Sequence, residues 1–101
     1  MAINKVILAS GTGDVEAAVA AAWNLKLCGW SVSEDGNTTA EVKIYDGATI
    51  AAGTLAVAPI HFAAYGFGMW GITNQGIPCP NGITVERVSG TTTIVLYVDK
   101  P

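Results

Sequence analysis

Charged side chains are scarce in this chain. They make up 13% of its 101 residues, whereas 50% of the residues are hydrophobic, and a typical soluble domain has roughly 25% charged residues. Large apolar patches left in water favour association with other proteins. We therefore expect neighbouring subunits to cover much of this surface, and we expect the chain to work as part of an assembly.

Long hydrophobic runs and basic clusters are also missing. The longest apolar candidate, residues 15–30, is interrupted by Glu16 and Lys26, and a membrane span needs roughly 18 to 20 apolar residues. The five Lys and Arg residues are scattered, and the formal net charge is -3, so no basic stripe is available for nucleic-acid phosphates. We expect neither a membrane nor a nucleic acid as a partner. The apolar residues 6–9 are too few for a secretory signal, which predicts synthesis in the cytoplasm without export.

Residues suited to catalysis or metal binding are also few. His61 is the only histidine, and no Ser or Cys lies in a recognisable nucleophile motif. Cys28 and Cys79 lack the paired spacing of a zinc site. We expect a buried Cys28 and a loop thiol at Cys79, with one disulfide between them as the alternative. The sequence predicts no catalytic, cofactor or metal site, and hence a protein that is not an enzyme.

Turn-forming residues divide the chain into short β-rich runs. The turn signals lie at residues 11–14, 35–37, 46–47, 74–76, 80–82 and 89–90. Between them lie seven candidate strands, at residues 4–9, 24–33, 39–45, 53–57, 64–72, 84–88 and 92–98. This pattern predicts an all-β fold with a single antiparallel β-sandwich, jelly-roll-like, over residues 1–101. Residues 1–10 are a candidate N-terminal arm.

Alternation along the strands predicts which side chains face the core. In residues 40–44 and 92–98 the even-numbered positions are largely apolar, so we expect them to point inward. The odd-numbered Thr93, Val95 and Tyr97 are only half polar, which predicts cover on both faces of that strand. In the second strand the apolar parity changes near Cys28, and a β-bulge or bend at Gly29 would account for the change.

Two conformations are open for the alanine-rich residues 15–22. Alanine has the highest helix propensity, and Asp14 is a suitable N-cap, so we slightly prefer a short helix or turn. Eight residues are too few for a helix without packing. Small side chains also suit an extended segment that lies on another surface.

Residues 65–71 alternate bulky side chains with glycine and match no phosphate-binding pattern. Glycines beside aromatic residues let the large side chains lie against a neighbouring strand or subunit, and Trp is enriched at interface centres. For Trp70 we weigh an interface position evenly against a core position, with sugar stacking well behind. The sole histidine is expected to be a loop or interface residue and not a base. The interface candidates are Tyr65, Phe67, Met69, Trp70, His61 and Tyr97.

Three segments, residues 27–34, 40–47 and 82–91, together with the closing Tyr97, resemble small β-sandwich virion proteins of tailed bacteriophages. The resemblance is greatest to the capsid decoration, or cement, proteins. It implies a homotrimer on the capsid surface that binds the major capsid protein and stabilises the head. The alternatives are a phage tail or receptor-binding component, and a carbohydrate-binding module with exposed coplanar aromatics from Trp23, Trp30, Trp70 or Tyr65.

Overall fold

The computed structural model describes residues 3–71 and 76–100, and all regular secondary structure within these ranges is β-strand. The strands are β1 (Ile3–Gly11), β2 (Val15–Val19), β3 (Lys26–Glu34), β4 (Ala40–Asp46), β5 (Thr54–Leu55), β6 (Ile60–Phe62), β7 (Phe67–Trp70), β8 (Ile77–Pro78), β9 (Ile83–Ser89) and β10 (Thr92–Asp99). The predicted all-β class is confirmed. The described part of the chain contains no helix able to span a membrane.

Two antiparallel sheets pack face to face. Sheet 1 has the order β1-β10-β3-β7, and β8 also pairs with β3. Sheet 2 has the order β2-β9-β4-β5, and β6 also pairs with β4. Apolar side chains from both sheets form one buried cluster between them. The predicted antiparallel β-sandwich is therefore confirmed.

The burial pattern follows the predicted alternation. The even-numbered apolar residues of β4 and β10 are all buried. The odd-numbered residues Thr93, Val95 and Tyr97 lie on the opposite face of β10 and are half-buried. Because β10 lies between β1 and β3, its outer face is partly covered by side chains of the neighbouring strands.

The predicted irregularity in the second strand is a β-bulge. Tyr97 lies opposite Gly29, and the next residue, Val98, lies opposite Leu27, so Cys28 is the extra residue on β3. Leu27 and Cys28 are adjacent in sequence and are both fully buried. A bulge permits this arrangement because it shifts the side-chain phase by one residue.

The preference for a short helix or turn over residues 15–22 is wrong. Residues 15–19 form β2, which pairs with β9 through Val15 opposite Val85 and Val19 opposite Ile83. The four steps along β2 match two steps along β9, so β2 bulges, and Ala17 has a φ of 50°. Pairing with a buried strand outweighs alanine's modest helix propensity, which is a weak preference in a segment this short.

The number of strands also exceeds the predicted seven. Besides β2, the short strands β6 and β8 were not predicted, and β5 and β7 are shorter than the runs predicted for them. Residues 3–10 of the candidate N-terminal arm belong to β1, which pairs with β10 at the edge of sheet 1. Residues 1, 2 and 72, and residues 74–75 of a predicted turn, lie outside the described residues.

Both cysteines are unpaired and buried. Cys28 lies in the bulge of β3, and Cys79 lies in the connection between β8 and β9, where its backbone N–H donates to the Leu25 carbonyl at 2.8 Å. Burial raises the pKa of Cys79 to about 12. The expected unpaired thiols are confirmed, and the alternative disulfide is not formed.

Candidate functional site

The outer face of sheet 1 carries large apolar side chains. We define the apolar face as the outward-pointing residues Ile7 of β1, Val95 and Tyr97 of β10, and Phe67 and Met69 of β7. Phe67 is 74% exposed, and Met69 and Ile7 are each 64% exposed. Side chains of this size are usually withdrawn from water, so together they mark a candidate contact surface.

Strand register places these residues in neighbouring rows. Met69 lies opposite Ser31, Ser31 lies opposite Val95, and Val95 lies opposite Ile7. This row therefore crosses all four strands with small or apolar side chains. The next row contains Phe67, and another contains Tyr97.

Charges on this side of the sandwich lie at its margins. Lys5 lies opposite Tyr97 at the β1 edge, and Asp99 ends β10. At the other end, the Asp35 carboxylate accepts hydrogen bonds from the hydroxyls of Thr93, Ser10 and Ser33. These three bonds, from Thr93 first, lower the pKa of Asp35. The middle of the apolar face carries no charge.

The outer face of sheet 2 carries more charge, although Leu55 of β5 and Val88 of β9 are also exposed on this sheet. Lys43 of β4 lies opposite Glu86 of β9, a favourable pairing of opposite charges. The Tyr45 hydroxyl donates to the Glu86 carboxylate at 2.8 Å, and His61 of β6 lies opposite Glu41. Charged groups lose hydration when a partner covers them, so this face is better suited to contact with solvent.

The six predicted interface candidates do not form one site. Phe67, Met69 and Tyr97 share the apolar face, and Tyr65 lies in the turn just before β7. His61 points outward from the other sheet, and Trp70 points to the inner side of β7.

Ile7 and Val95 were not among the candidates. Val95 lies on the half-polar face already inferred for the last strand. Ile7 lies between Val6 and Leu8, which pack against the core, and strict alternation would have placed it on the outer face. Its exposure follows from β1 being an edge strand with a solvent-facing outer surface.

Trp70 lines an apolar cleft where the sandwich is open between its two sheets. Trp70 lies opposite Trp30 in the register of β7 and β3. The cleft has a volume of about 530 Å³ and is lined by Trp30, Trp70, Ile77 and residues 56–60. Gly68 is required nearby, because an added Cβ would lie 2.5 Å from a Phe62 ring carbon. The glycine thus lets the Phe62 ring pack beneath β7.

Few polar side-chain groups line the cleft in the described part of the chain. Its lining side chains are aliphatic or aromatic, and the indole N–H groups of Trp30 and Trp70 are their only polar atoms. Ligand sites combine apolar walls with several converging polar groups. Of the other aromatics considered for sugar stacking, Trp23 is 85% exposed in the loop before β3.

A buried carboxylate joins three loops at one end of the sandwich. Glu34 is 2% exposed, and its oxygens accept the backbone N–H groups of Gly36, Thr38 and Thr91 at 3.0 Å. They also accept the Tyr65 N–H at 3.4 Å. Burial opposes ionisation, but these hydrogen bonds outweigh it and lower the pKa of Glu34.

The described residues include no group of three or more His, Cys, Asp and Glu side chains arranged to hold a metal ion. Comparison of the chain with protein-family models, characterised proteins and solved structures finds no match. The function must therefore be inferred from the surface itself.

Proposed function

We propose that the protein is a bacteriophage virion structural protein, a capsid decoration protein that binds the major capsid protein through the apolar face. One observation carries the proposal, namely the contrast between the outer face of sheet 1, which is apolar and uncharged in its middle, and the outer face of sheet 2, where Lys43 lies opposite Glu86. The resemblance to cement proteins supplies the location. The protein would be made in the host cytoplasm and act on the capsid surface, without catalysing a reaction.

The contrast between the two outer faces predicts the orientation of the protein on the capsid. Sheet 1 lies against the capsid, and sheet 2, with Lys43, Glu86 and His61, faces the solvent. Removing the apolar face from water lowers the free energy of the decorated state. Separating the capsid subunits beneath it then requires more work.

The size of the apolar face indicates how strongly one copy of the protein would bind the capsid. Four strands about 4.8 Å apart and three rows about 7 Å apart give a projected area of about 400 Å². At about 25 cal/mol per Å² of apolar surface, burial of this area contributes at most about 10 kcal/mol, because Lys5, Ser31 and Thr93 make part of it polar. Association costs of about 4 to 15 kcal/mol offset most of it. One copy alone would therefore bind weakly.

Self-association solves this problem. A homotrimer, which the resemblance implies, presents three apolar faces on one rigid body, and linked sites raise the overall affinity by about 10² to 10⁴ without new contacts. We expect light scattering to report three chains per particle. A protein that is monomeric both in solution and on imaged capsids would contradict the trimer.

Binding to capsids tests the proposal directly. Purified capsids without the protein are mixed with the recombinant chain and sedimented. The double variant Phe67→Ser, Met69→Ser should stay folded by circular dichroism, because both side chains are exposed. It should bind at least about 30-fold more weakly, as expected when large contact residues are lost.

A matched control comes from the other sheet. Leu55 of β5 is 47% exposed on sheet 2, and Leu55→Ser should leave binding unchanged. Equal losses for the control and the double variant would contradict the assignment of the apolar face. Binding of the wild-type chain to tails or to glycans, and not to capsids, would replace the capsid location with one of the alternatives.

A further inference from the structure

Tyr65 has a backbone conformation that few bulky residues adopt. It occupies the third position of the turn at residues 63–66, in which the Gly66 N–H donates to the Ala63 carbonyl at 2.9 Å. Its φ is 57°, in the left-handed region that normally favours Gly or Asn. Asn24 and Asn37 are in that region too, with φ of 65° and 56°, and asparagine tolerates it.

The folded domain gains little from a tyrosine at this place. The Tyr65 residue is 66% exposed, so its ring is not stabilised by burial in the core. Its one hydrogen bond to Glu34 comes from the backbone N–H, which every residue except proline possesses. A glycine would make the same turn with less strain. A strained residue retained on a surface is typical of a functional contact.

The turn that presents Tyr65 is firmly held. The Glu34 backbone N–H donates to the Gly66 carbonyl at 2.8 Å, and the Glu34 carboxylate accepts the Tyr65 N–H. The same carboxylate binds two other loops, through Thr38 and Thr91. A side chain on a turn held in this way loses little freedom on binding, which favours affinity.

The apolar face is also too small for a complete contact. Its projected area of about 400 Å² is about half of the roughly 800 Å² that each partner buries in a standard interface. A contact of standard size would extend past the face. Tyr65 lies two residues before Phe67, in the turn that leads into β7, and its side chain is exposed as those of Phe67 and Met69 are.

We propose that Tyr65 is a binding residue that extends the apolar face and inserts its ring into the capsid protein. This inference rests on the proposed function. The partner surface that fits it is an apolar pocket with one polar group for the phenol hydroxyl, the arrangement in which tyrosine makes its strongest interface contacts.

Tyr65→Gly separates binding from folding, and Asn37→Gly is its matched control. Both changes put glycine at a left-handed position, so both variants should unfold at the same denaturant concentration as the wild type or at a higher one. In capsid sedimentation, Tyr65→Gly should bind at least about 30-fold more weakly. Asn37→Gly should bind like the wild type.

Three results would overturn the inference, and a fourth would contradict the proposed function on which it rests. Unchanged binding by Tyr65→Gly would show that the ring makes no contact. A clear loss of stability in Tyr65→Gly would assign the ring a structural role, and equal weakening by Asn37→Gly would show a general effect of loop flexibility. Failure of the wild-type chain to bind capsids would contradict the proposed function instead.

Discussion

The buried hydroxyl of Thr84 should be worth more to the fold than its methyl group. Thr84 is fully buried on β9. Its hydroxyl accepts the Ala17 N–H at 3.0 Å and donates to the Gly47 carbonyl at 2.8 Å. It therefore joins the bulged β2 to the turn after β4. Thr84→Val keeps the shape of the side chain and removes both hydrogen bonds.

The expected loss of unfolding free energy for Thr84→Val is about 2 kcal/mol. A buried carbonyl left without a donor costs about 1 to 3 kcal/mol, and a hydrogen bond near the surface is worth about 1 kcal/mol. The added methyl group returns about 0.8 kcal/mol. Thr84→Ser keeps the hydroxyl and loses one buried methyl, which should cost about 1 kcal/mol.

Urea unfolding followed by tryptophan fluorescence measures both variants, since the chain has three tryptophans. The comparison is valid where the slope of free energy against urea stays the same. The valine variant should be the less stable of the two. If serine costs as much as valine or more, the hydroxyl does not hold β2 in place and the reasoning is refuted.

Three other measurements test further parts of the structure. Gly68→Ala should destabilise the fold, because its Cβ would clash with the Phe62 ring, whereas Gly71→Ala should be neutral in the same denaturation assay, because no described residue lies within 4 Å of its added Cβ. Cys79, with its pKa raised to about 12, should resist alkylation at pH 8 until the protein is unfolded, and rapid labelling of the native protein would contradict its burial. Glu34 has a lowered pKa, so its contribution to stability is present above the unfolded-state pKa, roughly 4.3, and is lost as pH falls through the folded-state value. Acid unfolding of Glu34→Gln should therefore depend less on pH than that of the wild type.

Strands could be predicted where the periodicity of apolar residues lies within the strand's own sequence. The strands β4 and β10 place an apolar residue at nearly every second position, these residues are buried, and each strand is paired on both sides. The parity change at Cys28 also predicts its bulge, because one extra residue on one strand must shift the phase. Periodicity alone therefore identifies the middle of both sheets.

Three strands, β2, β6 and β8, could not be predicted, because distant partners determine them. β2 is extended because β9 and the Thr84 hydroxyl lie beside it, some 65 residues later in the chain. β6 and β8 contain three and two residues, which is too short for any periodic signal. Propensity favoured a helix at residues 15–22, and long-range pairing prevailed.

The candidate surface was predicted only in part, for a related reason. Aromatic and glycine content marks residues 65–71, but content does not say which side of β7 each residue faces. Phe67 and Met69 point outward, whereas Trp70 faces the cleft beside Trp30. The contribution of Ile7 depends on sheet order, which brings β1 next to β10.

Much of the chain's charge takes part in hydrogen bonds that hold the fold together. The Arg87 guanidinium is 9% exposed and donates to the Ala9, Gly13 and Thr92 carbonyls. Acidic side chains that accept backbone or hydroxyl hydrogen bonds are Asp14, Glu16, Glu34, Asp35, Asp46 and Glu86. Seven of the 13 charged residues are thus engaged within the domain. None of the charged residues lies in the middle of the apolar face, so a partner can cover that part of the face without burying an ion.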